Sequence, residues 1–431
     1  MNIKGRKIIS IALLAIAATM ALSVSTFPKP AAGDNNTGGE VWVTAQTSSQ
    51  ILILHPRSML DGGSFETIQL PANAHPHITT FSPDGNFAYV SDMGNGQMTV
   101  IRAQDRQIVA SLNIAPTLTH QAKASPDGTL LLVANIANKT LFKVAADEAS
   151  SSWTVTGSLS LASISSAPVC TIFRDDSLRA YVSLLPSGIA IVDVQTMTLL
   201  GTLPTDGFIA CGMIKSQDGQ TIFIASSGGG GHLYQLDTTT DALFDTGHTL
   251  GAGSWHSFNI NPTKTVGYGS SPAVDQLQII NLSAGTATPL ALDPTPGVGN
   301  DQPDAIAVQG NTVYVTLRFA GKLAIIDSQR LRVQYITLEP PATSVNPANC
   351  MGCSIHGVTI RPEPTTSSVI KNTPSDLSIQ GKAVFASASI SSSHVNIDTQ
   401  QSTVDTSDIK PVSTPSSTLP SCEGCCCCCD T

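Results

Sequence analysis

Apolar residues alternate with small or polar residues in short runs along most of the chain. Examples are Phe87–Ser91, Met98–Arg102 and Ile108–Leu112, which are separated by residues that favour turns. A period of two places every second side chain on the same face, as in a half-buried strand. The pattern therefore predicts a chain built of β-strands between residues 40 and 362.

The turns between neighbouring strands also repeat. Ser82-Pro-Asp-Gly85 and Ser125-Pro-Asp-Gly128 have proline and glycine where a β-turn needs a preset φ and a positive φ, and Ser216-Gln-Asp-Gly219 keeps most of these residues. One equivalent position precedes the turn in each copy, and we call it the ring position. In chain order it is occupied by His77, His120, Val169, Cys211, His256, Asp304 and His356. Successive ring positions are 42 to 52 residues apart, which suits the four-stranded blades of a propeller.

The two ends of the repeat region carry complementary fragments of one blade. Three strands, near Glu40–Ala45, Gln50–His55 and Glu66–Leu70, precede the first ring position, and one strand, His356–Arg361, follows the last turn. Joining the fragments closes the ring and leaves no exposed sheet edge. We therefore predict an all-β fold over residues 40–362: a seven-bladed β-propeller of four-stranded antiparallel blades, in which the N- and C-terminal strands share the closing blade.

Second strands of the copies carry a recurring tetrapeptide. It is found as Tyr89-Val-Ser-Asp92, Leu132-Val-Ala-Asn135, Tyr181-Val-Ser-Leu184, Phe223-Ile-Ala-Ser226 and Tyr314-Val-Thr-Leu317. Together with the Ser-Pro-Asp-Gly turn, this pattern resembles the YVTN-repeat family of β-propellers. The resemblance implies the propeller fold. It does not fix the chemistry, because similar propellers include surface-layer proteins, cytochrome d1-like proteins and lactonase-like enzymes.

The ring position is the main candidate site. Four of the protein's nine histidines occupy it, and a closed ring would gather them around one axis. Imidazole and thiolate ligands favour copper or zinc over calcium or magnesium. We therefore predict a metal site drawn from His77, His120, His256, His356, Cys211 and Asp304. Two alternatives stay open at this point, a hydrated polar channel and a site for an organic ligand or for catalysis.

Cysteines near the closing strand extend this candidate site. Cys350 and Cys353 form a Cys-x-x-Cys pair just before His356. A c-type haem needs the histidine directly after the second cysteine, so this is not a haem attachment motif. The pair is interpreted either as a structural disulfide or as additional soft metal ligands. Cys170, one position after Val169, is expected to be a small buried apolar residue.

The ends of the chain differ from the repeat region. Residues 1–32 resemble a signal peptide, since Lys4, Arg6 and Lys7 precede an apolar run; the alternative is an uncleaved anchor. No other segment reaches the ~18 apolar residues of a spanning helix. Residues 363–431 form a Ser/Thr-rich tail, predicted to be disordered, that ends in the cysteine cluster Cys422–Cys429. This cluster could bind soft metals, crosslink the protein to a surface or partner, or have no role.

Two classes of function follow from these features. The favoured class is an exported binding protein, periplasmic or at the cell surface, that binds copper, zinc or a small ligand at the axial channel. The alternative is an enzyme at the same face, a metal-dependent oxidoreductase or a lactonase-like hydrolase. A net charge of −9 without a basic face argues against nucleic acid as a partner.

Overall fold

We describe the protein from a computed structural model. It defines residues 39–55, 64–207, 212–216, 218–226, 231–249, 257–263, 265–292, 301–342 and 353–363. The predicted signal peptide, residues 1–32, and the predicted tail beyond residue 363 lie outside these residues. Both stay predictions.

Within the described residues the strands form seven four-stranded antiparallel sheets, which are the blades of a ring. Blade 1 contains β28 (Ile355–Ile360), β1 (Val41–Ala45), β2 (Gln50–Leu54) and β3 (Glu66–Gln69). Blade 2 contains β4 (Pro76–Phe81), β5 (Phe87–Asp92), β6 (Gln97–Arg102) and β7 (Gln107–Asn113). Blade 3 contains β8 (Thr119–Ala124), β9 (Leu130–Asn135), β10 (Thr140–Asp147) and β11 (Ser152–Ser160). Blade 4 contains β12 (Ala167–Phe173), β13 (Arg179–Leu185), β14 (Ile189–Asp193) and β15 (Thr198–Leu203).

The remaining blades follow the same order from the axis outward. Blade 5 contains β16 (Met213–Lys215), β17 (Thr221–Ser226), β18 (His232–Asp237) and β19 (Leu243–Thr249). Blade 6 contains β20 (Phe258–Ile260), β21 (Val266–Ser271), β22 (Gln276–Asn281) and β23 (Thr286–Ala291). Blade 7 contains β24 (Pro303–Gln309), β25 (Thr312–Leu317), β26 (Lys322–Asp327) and β27 (Arg332–Thr337). Short 3₁₀ turns lie at Ala162–Ile164 and Pro272–Val274.

The hydrophobic core is divided among the interfaces between blades. Each cluster of buried apolar residues combines side chains of two neighbouring blades. Between blades 7 and 1, for example, Tyr314 and Leu323 pack with Val41 and Val43. The first strands of neighbouring blades also contact one another all the way around the ring. A closed ring of this kind buries the faces of every sheet, because each blade covers the next.

The closing blade has the predicted composition. β28 pairs antiparallel with β1, with Val41 opposite Ile360 and Trp42 opposite Thr359. Just beyond the strand, Nη1 of Arg361 lies 3.3 Å from Oε2 of Glu40. The two ends of the repeat region therefore share one sheet. The prediction of seven four-stranded blades closed by both ends of this region is confirmed.

In the described part of the chain, no helix is long and apolar enough to cross a membrane.

Candidate functional site

A β-bulge lies near the start of the first strand in five of the described blades. The pairing register shifts at His77 in β4, at His120 in β8, at Asp304 in β24 and at His356 in β28. A similar shift includes Val169 in β12. The extra residue of a bulge leaves the ladder and its side chain is redirected. The ring position of the sequence is therefore a bulge position in the structure.

Hydroxyl groups of three second strands, from Thr44, Ser91 and Thr316, hold bulges and join their blade to the next. Thr44 Oγ1 accepts a hydrogen bond from the Gly357 amide at 2.6 Å and donates to the His77 carbonyl at 3.0 Å. Thr316 Oγ1 accepts from the Ala305 amide at 3.0 Å and donates to the carbonyl of His356 at 2.6 Å. Thr44 and Thr316 thus each hold one bulge in their own blade and one in the following blade.

Three ring histidines lie against one another where blades 1, 2 and 3 meet. His77, His120 and His356 are 0%, 1% and 2% exposed. The Nε2 atoms of His77 and His120 are 3.0 Å apart. The rings of His77 and His356 stack with their centroids 3.7 Å apart and their planes tilted by 36°. Because all three are buried, their nitrogens depend on protein partners rather than on bulk water.

Asp304 joins this cluster from blade 7. Its Oδ2 lies 3.0 Å from Nε2 of His356 and 3.4 Å from Nη1 of Arg318. Asp304 and Arg318 are both fully buried, and the Arg318 Nε also donates to Gln302 Oε1 at 2.9 Å. A buried carboxylate needs such a counter-charge. Arg318 therefore balances the charge of Asp304, and the Asp304 carboxylate contacts the histidine cluster through His356.

Gln46 and Arg318 occupy a second repeat position, which the sequence analysis did not use. Each directly follows the second strand of its blade, where blade 2 has Met93 and blade 3 has Ile136. Gln46 is fully buried, and its Nε2 lies 3.1 Å from Nδ1 of His77. A polar residue in place of an apolar one at this position is the sequence signal that could have identified Gln46.

The structure brings together four of the predicted site residues, His77, His120, His356 and Asp304. Cys353 is buried two residues before β28, and its carbonyl accepts a hydrogen bond from Thr47 Oγ1 at 3.0 Å. Cys211, His256 and Cys350 lie outside the described residues, so their place in the site stays a prediction. Among the described residues, no group of three or more His, Cys, Asp or Glu side chains has an arrangement that could hold a metal ion.

Cys170 is buried, as expected, but the expectation missed a covalent bond. Cys170 is disulfide-bonded. Its Sγ lies 3.8 Å from Nδ1 of His120, and the same Nδ1 is 3.0 Å from the Val169 carbonyl oxygen. Its sulfur is therefore part of a crosslink beside the histidine cluster, not only a small apolar group. A single sequence could not reveal this bond, because the spacing of cysteines does not determine which of them pair.

Comparison with known proteins supports the fold. A stretch of 125 residues is 34% identical to the seven-bladed β-propeller protein Rv1057 of Mycobacterium tuberculosis. The match covers 28% of this chain, and the chain spans 30% of the length of this curated relative. No model of a known protein family matches the sequence.

Solved structures with similar folds include two enzymes. Hydrazine synthase of Kuenenia stuttgartiensis superimposes with a TM-score of 0.53 and 16% identity, covering 69% of this chain and 98% of that chain. Dihydro-heme d1 dehydrogenase NirN superimposes with a TM-score of 0.51 and 14% identity, covering 78% of each chain. At this identity the likeness shows the fold alone. Both structures and the mycobacterial relative fit the resemblance to seven-bladed propeller families.

Proposed function

We propose that the protein is an exported β-propeller that binds a soft metal ion, copper in the first place, between His77 and His120 at its axis. The observation that carries this proposal is the separation of 3.0 Å between the two Nε2 atoms. Two nitrogens that bind one ion at about 2.0–2.1 Å lie roughly 3.3 Å apart in a tetrahedral site and about 2.9 Å apart in a square-planar copper site. The pair is therefore spaced like two ligands of one ion.

The surroundings of the pair favour copper or zinc over harder ions. Both imidazoles are nitrogen donors, and the nearby Asp304 carboxylate is already paired with His356 and Arg318. Nitrogen donors without carboxylate ligands suit copper and zinc, whereas calcium and magnesium require oxygen. Further ligands would have to come from other groups, and Cys211 and His256 are the candidates that the sequence predicts.

The test is a copper titration of a full-length chain whose six tail cysteines are replaced by serine, since thiols in the tail could bind copper by themselves. We expect about one equivalent to bind at the axis. Loss of a residue that only supports a ligand weakens metal binding about 10–100-fold. His77→Gln and His120→Gln each remove a proposed ligand, so each should weaken copper binding by at least about tenfold. His55→Gln, at an exposed histidine paired with Glu66, is the matched control.

Acidification provides a second readout. Imidazole binds metal through its neutral form, so affinity should fall below about pH 6. Equal copper binding by the wild-type axial site and by both axial variants, each with an unchanged circular dichroism spectrum, would contradict the proposal.

Export and the cysteine tail are separate parts of the proposed function. The leader, residues 1–32, would direct the chain to the periplasm or the cell surface, and Cys422–Cys429 would anchor the protein or capture metal there. N-terminal sequencing of the secreted protein tests the first point. The second point is tested by replacing the cysteines of Cys422–Cys429 with serine. If this variant keeps its surface attachment and its total copper content, the proposed role of the cysteine tail is wrong.

A further inference from the structure

The hydrogen-bond partners of His120 determine where its proton lies. Its Nδ1 is 3.0 Å from the carbonyl oxygen of Val169. A carbonyl oxygen only accepts hydrogen bonds, so Nδ1 must carry the hydrogen. In the neutral imidazole the other nitrogen, Nε2, then has a lone pair that faces His77.

The partner of His77 leads to the opposite tautomer. Its Nδ1 is 3.1 Å from Nε2 of Gln46. An amide nitrogen only donates, so Nδ1 of His77 accepts and the hydrogen of the neutral ring is on its Nε2. This hydrogen points along the 3.0 Å line to Nε2 of His120. Gln46, His77, His120 and Val169 thus form one continuous chain of donors and acceptors.

In this arrangement a hydrogen lies where a metal ion would have to sit. An ion held by both Nε2 atoms needs a lone pair on each, so the hydrogen of His77 must move to its Nδ1. Nδ1 would then face an amide nitrogen, which cannot accept it. The position of the Gln46 amide therefore determines whether His77 can be a ligand.

Gln46 has a second group available for this purpose. Its Oε1 is buried and has no hydrogen-bond partner among the residues that the structure describes. A half-turn of the amide would bring Oε1 towards Nδ1 of His77, and oxygen there accepts a hydrogen bond. A buried acceptor without a partner is unfavourable by about 1–3 kcal/mol, so its presence beside a candidate ligand requires an explanation.

We propose that Gln46 is a positioning residue that supports both tautomers of His77. Its amide nitrogen donates to Nδ1 when the axis is free of metal, and its amide oxygen accepts from Nδ1 when an ion is bound. This role rests on the proposed function, because the bound ion is the reason for the second tautomer. The hydrogen-bonded side chains of Gln46, His77 and His120 then couple metal binding to the position of the His77 ring hydrogen.

The first test is spectroscopic and uses metal-free protein. In the full-length chain with the tail cysteines replaced by serine, ¹⁵N NMR of the imidazoles reports which nitrogen of His77 carries the hydrogen. The His77 signals are assigned by their loss in His77→Gln. We expect the hydrogen on Nε2 in the wild-type axial site and on Nδ1 in Gln46→Glu, because a carboxylate can only accept. A hydrogen on Nδ1 of His77 in the metal-free wild-type site would overturn the proposal.

The second test measures the affinity for copper alone, by competition with a chelator at about pH 8, where imidazole is neutral. Gln46→Met removes both hydrogen-bonding groups and should weaken binding about 10–100-fold, whereas Gln46→Glu should not. Gln50→Glu changes a half-buried glutamine in the same blade, which is bonded to Gln69 and not to a histidine, and serves as control.

The two proposals fail in different ways. Copper binding that is equally tight in Gln46→Met and in the wild-type site, with the fold intact by circular dichroism, overturns the role of Gln46 and leaves the axial site standing. No copper binding by the wild-type axial site overturns the proposed function and, with it, the metal-linked role of Gln46.

Discussion

At the scale of single residues, Asp92 differs from its equivalent in the next blade. In blade 3 this position is Asn135, whose Nδ2 donates to the Thr117 carbonyl at 2.7 Å and whose Oδ1 accepts from the Asn138 amide at 2.9 Å. Asp92 is fully buried, and its Oδ2 accepts from Thr99 Oγ1 at 2.7 Å, whereas its Oδ1 has no partner in the described part of the chain. Burial raises the pKa of Asp92 to about 8, although the hydrogen bond from Thr99 lowers it.

We expect Asp92→Asn to stabilise the protein at neutral pH. The folded state keeps the carboxyl protonated up to about pH 8, whereas the unfolded chain releases the proton above 3.8. The unfolded state therefore binds fewer protons in this range, and the wild-type protein loses stability as pH rises, by at most about 1.4 kcal/mol per pH unit. Asparagine does not ionise, so the advantage of the variant should grow between these two pH values.

Urea unfolding at several pH values measures this difference. Asp105→Asn, at an exposed surface aspartate, should show no comparable pH-dependent gain. A variant that is no more stable than wild type at neutral pH would mean that Asp92 is ionised in the folded protein and stabilised by a group other than Thr99.

At the scale of elements, the repeated turns have the conformation that their sequence predicts. Gly85 and Gly128 both have a φ of +72°, and each amide donates to the first serine of its turn, at 2.9 and 3.0 Å. Their surroundings differ. A Cβ at Gly128 would meet only Pro83 at 3.7 Å, whereas a Cβ at Gly85 would lie 2.5 Å from the carbonyl oxygen of Pro362.

This contrast predicts different effects of one substitution in two identical turns. Gly128→Ala should lower the free energy of unfolding by about 1–2 kcal/mol, the cost of a left-handed conformation with a Cβ. Gly85→Ala should lower it further, because the backbone after the closing strand must also move. Urea unfolding of both variants and the wild type measures the difference. Equal losses in the two variants would mean that Pro362 can move away from the added Cβ without a further loss of stability.

At the scale of the whole molecule, the ring depends on one strand from the far end of the repeat region. β28 supplies the first strand of blade 1, and Ile355 belongs to the apolar cluster shared by blades 7 and 1. The same junction contains charged contacts: Glu40 Oε1 lies 2.6 Å from Nη2 of Arg106, and its Oε2 lies near Arg361. Burial by itself raises the pKa of Glu40, but the bonds from Arg106 and Trp42 and the charges of Arg106 and Arg361 keep it below its usual value.

We expect a chain that ends at residue 354 to lose cooperative folding. Without β28 the edge of β1 and the faces of blades 7 and 1 are exposed, which removes a shared core and leaves an unpaired strand edge. A chain that ends at residue 363 keeps every strand described here and should unfold at the urea concentration of the full-length protein. Calorimetry and urea unfolding compare the two, and similar transitions in both chains would show that the closing strand is dispensable.

The sequence by itself determined the strands, the turns and the closure of the ring. These features depend on residues that are close together in the sequence. The alternation of apolar and polar residues determines which face of a strand is buried, and proline and glycine determine the turns. Repetition of the pattern then makes each strand and turn recognisable. The ring position could also be identified, because equivalent residues of a repeat must occupy equivalent places. For this reason the sequence alone identifies His77, His120, Asp304 and His356 as equivalent residues.

Only the tertiary structure decided what these residues do to one another. The bulges turn the ring side chains towards the axis, and a single sequence gives no signal for a bulge at these positions. The partners are also distant in the chain: Gln46 and His77 are 31 residues apart, and His77 and His120 are 43 apart. The Gln46–His77, His77–His120 and Asp304–His356 contacts all lie where two blades meet. Only the closed ring brings these side chains together, because the residues next to each of them in the sequence carry no information about the partner.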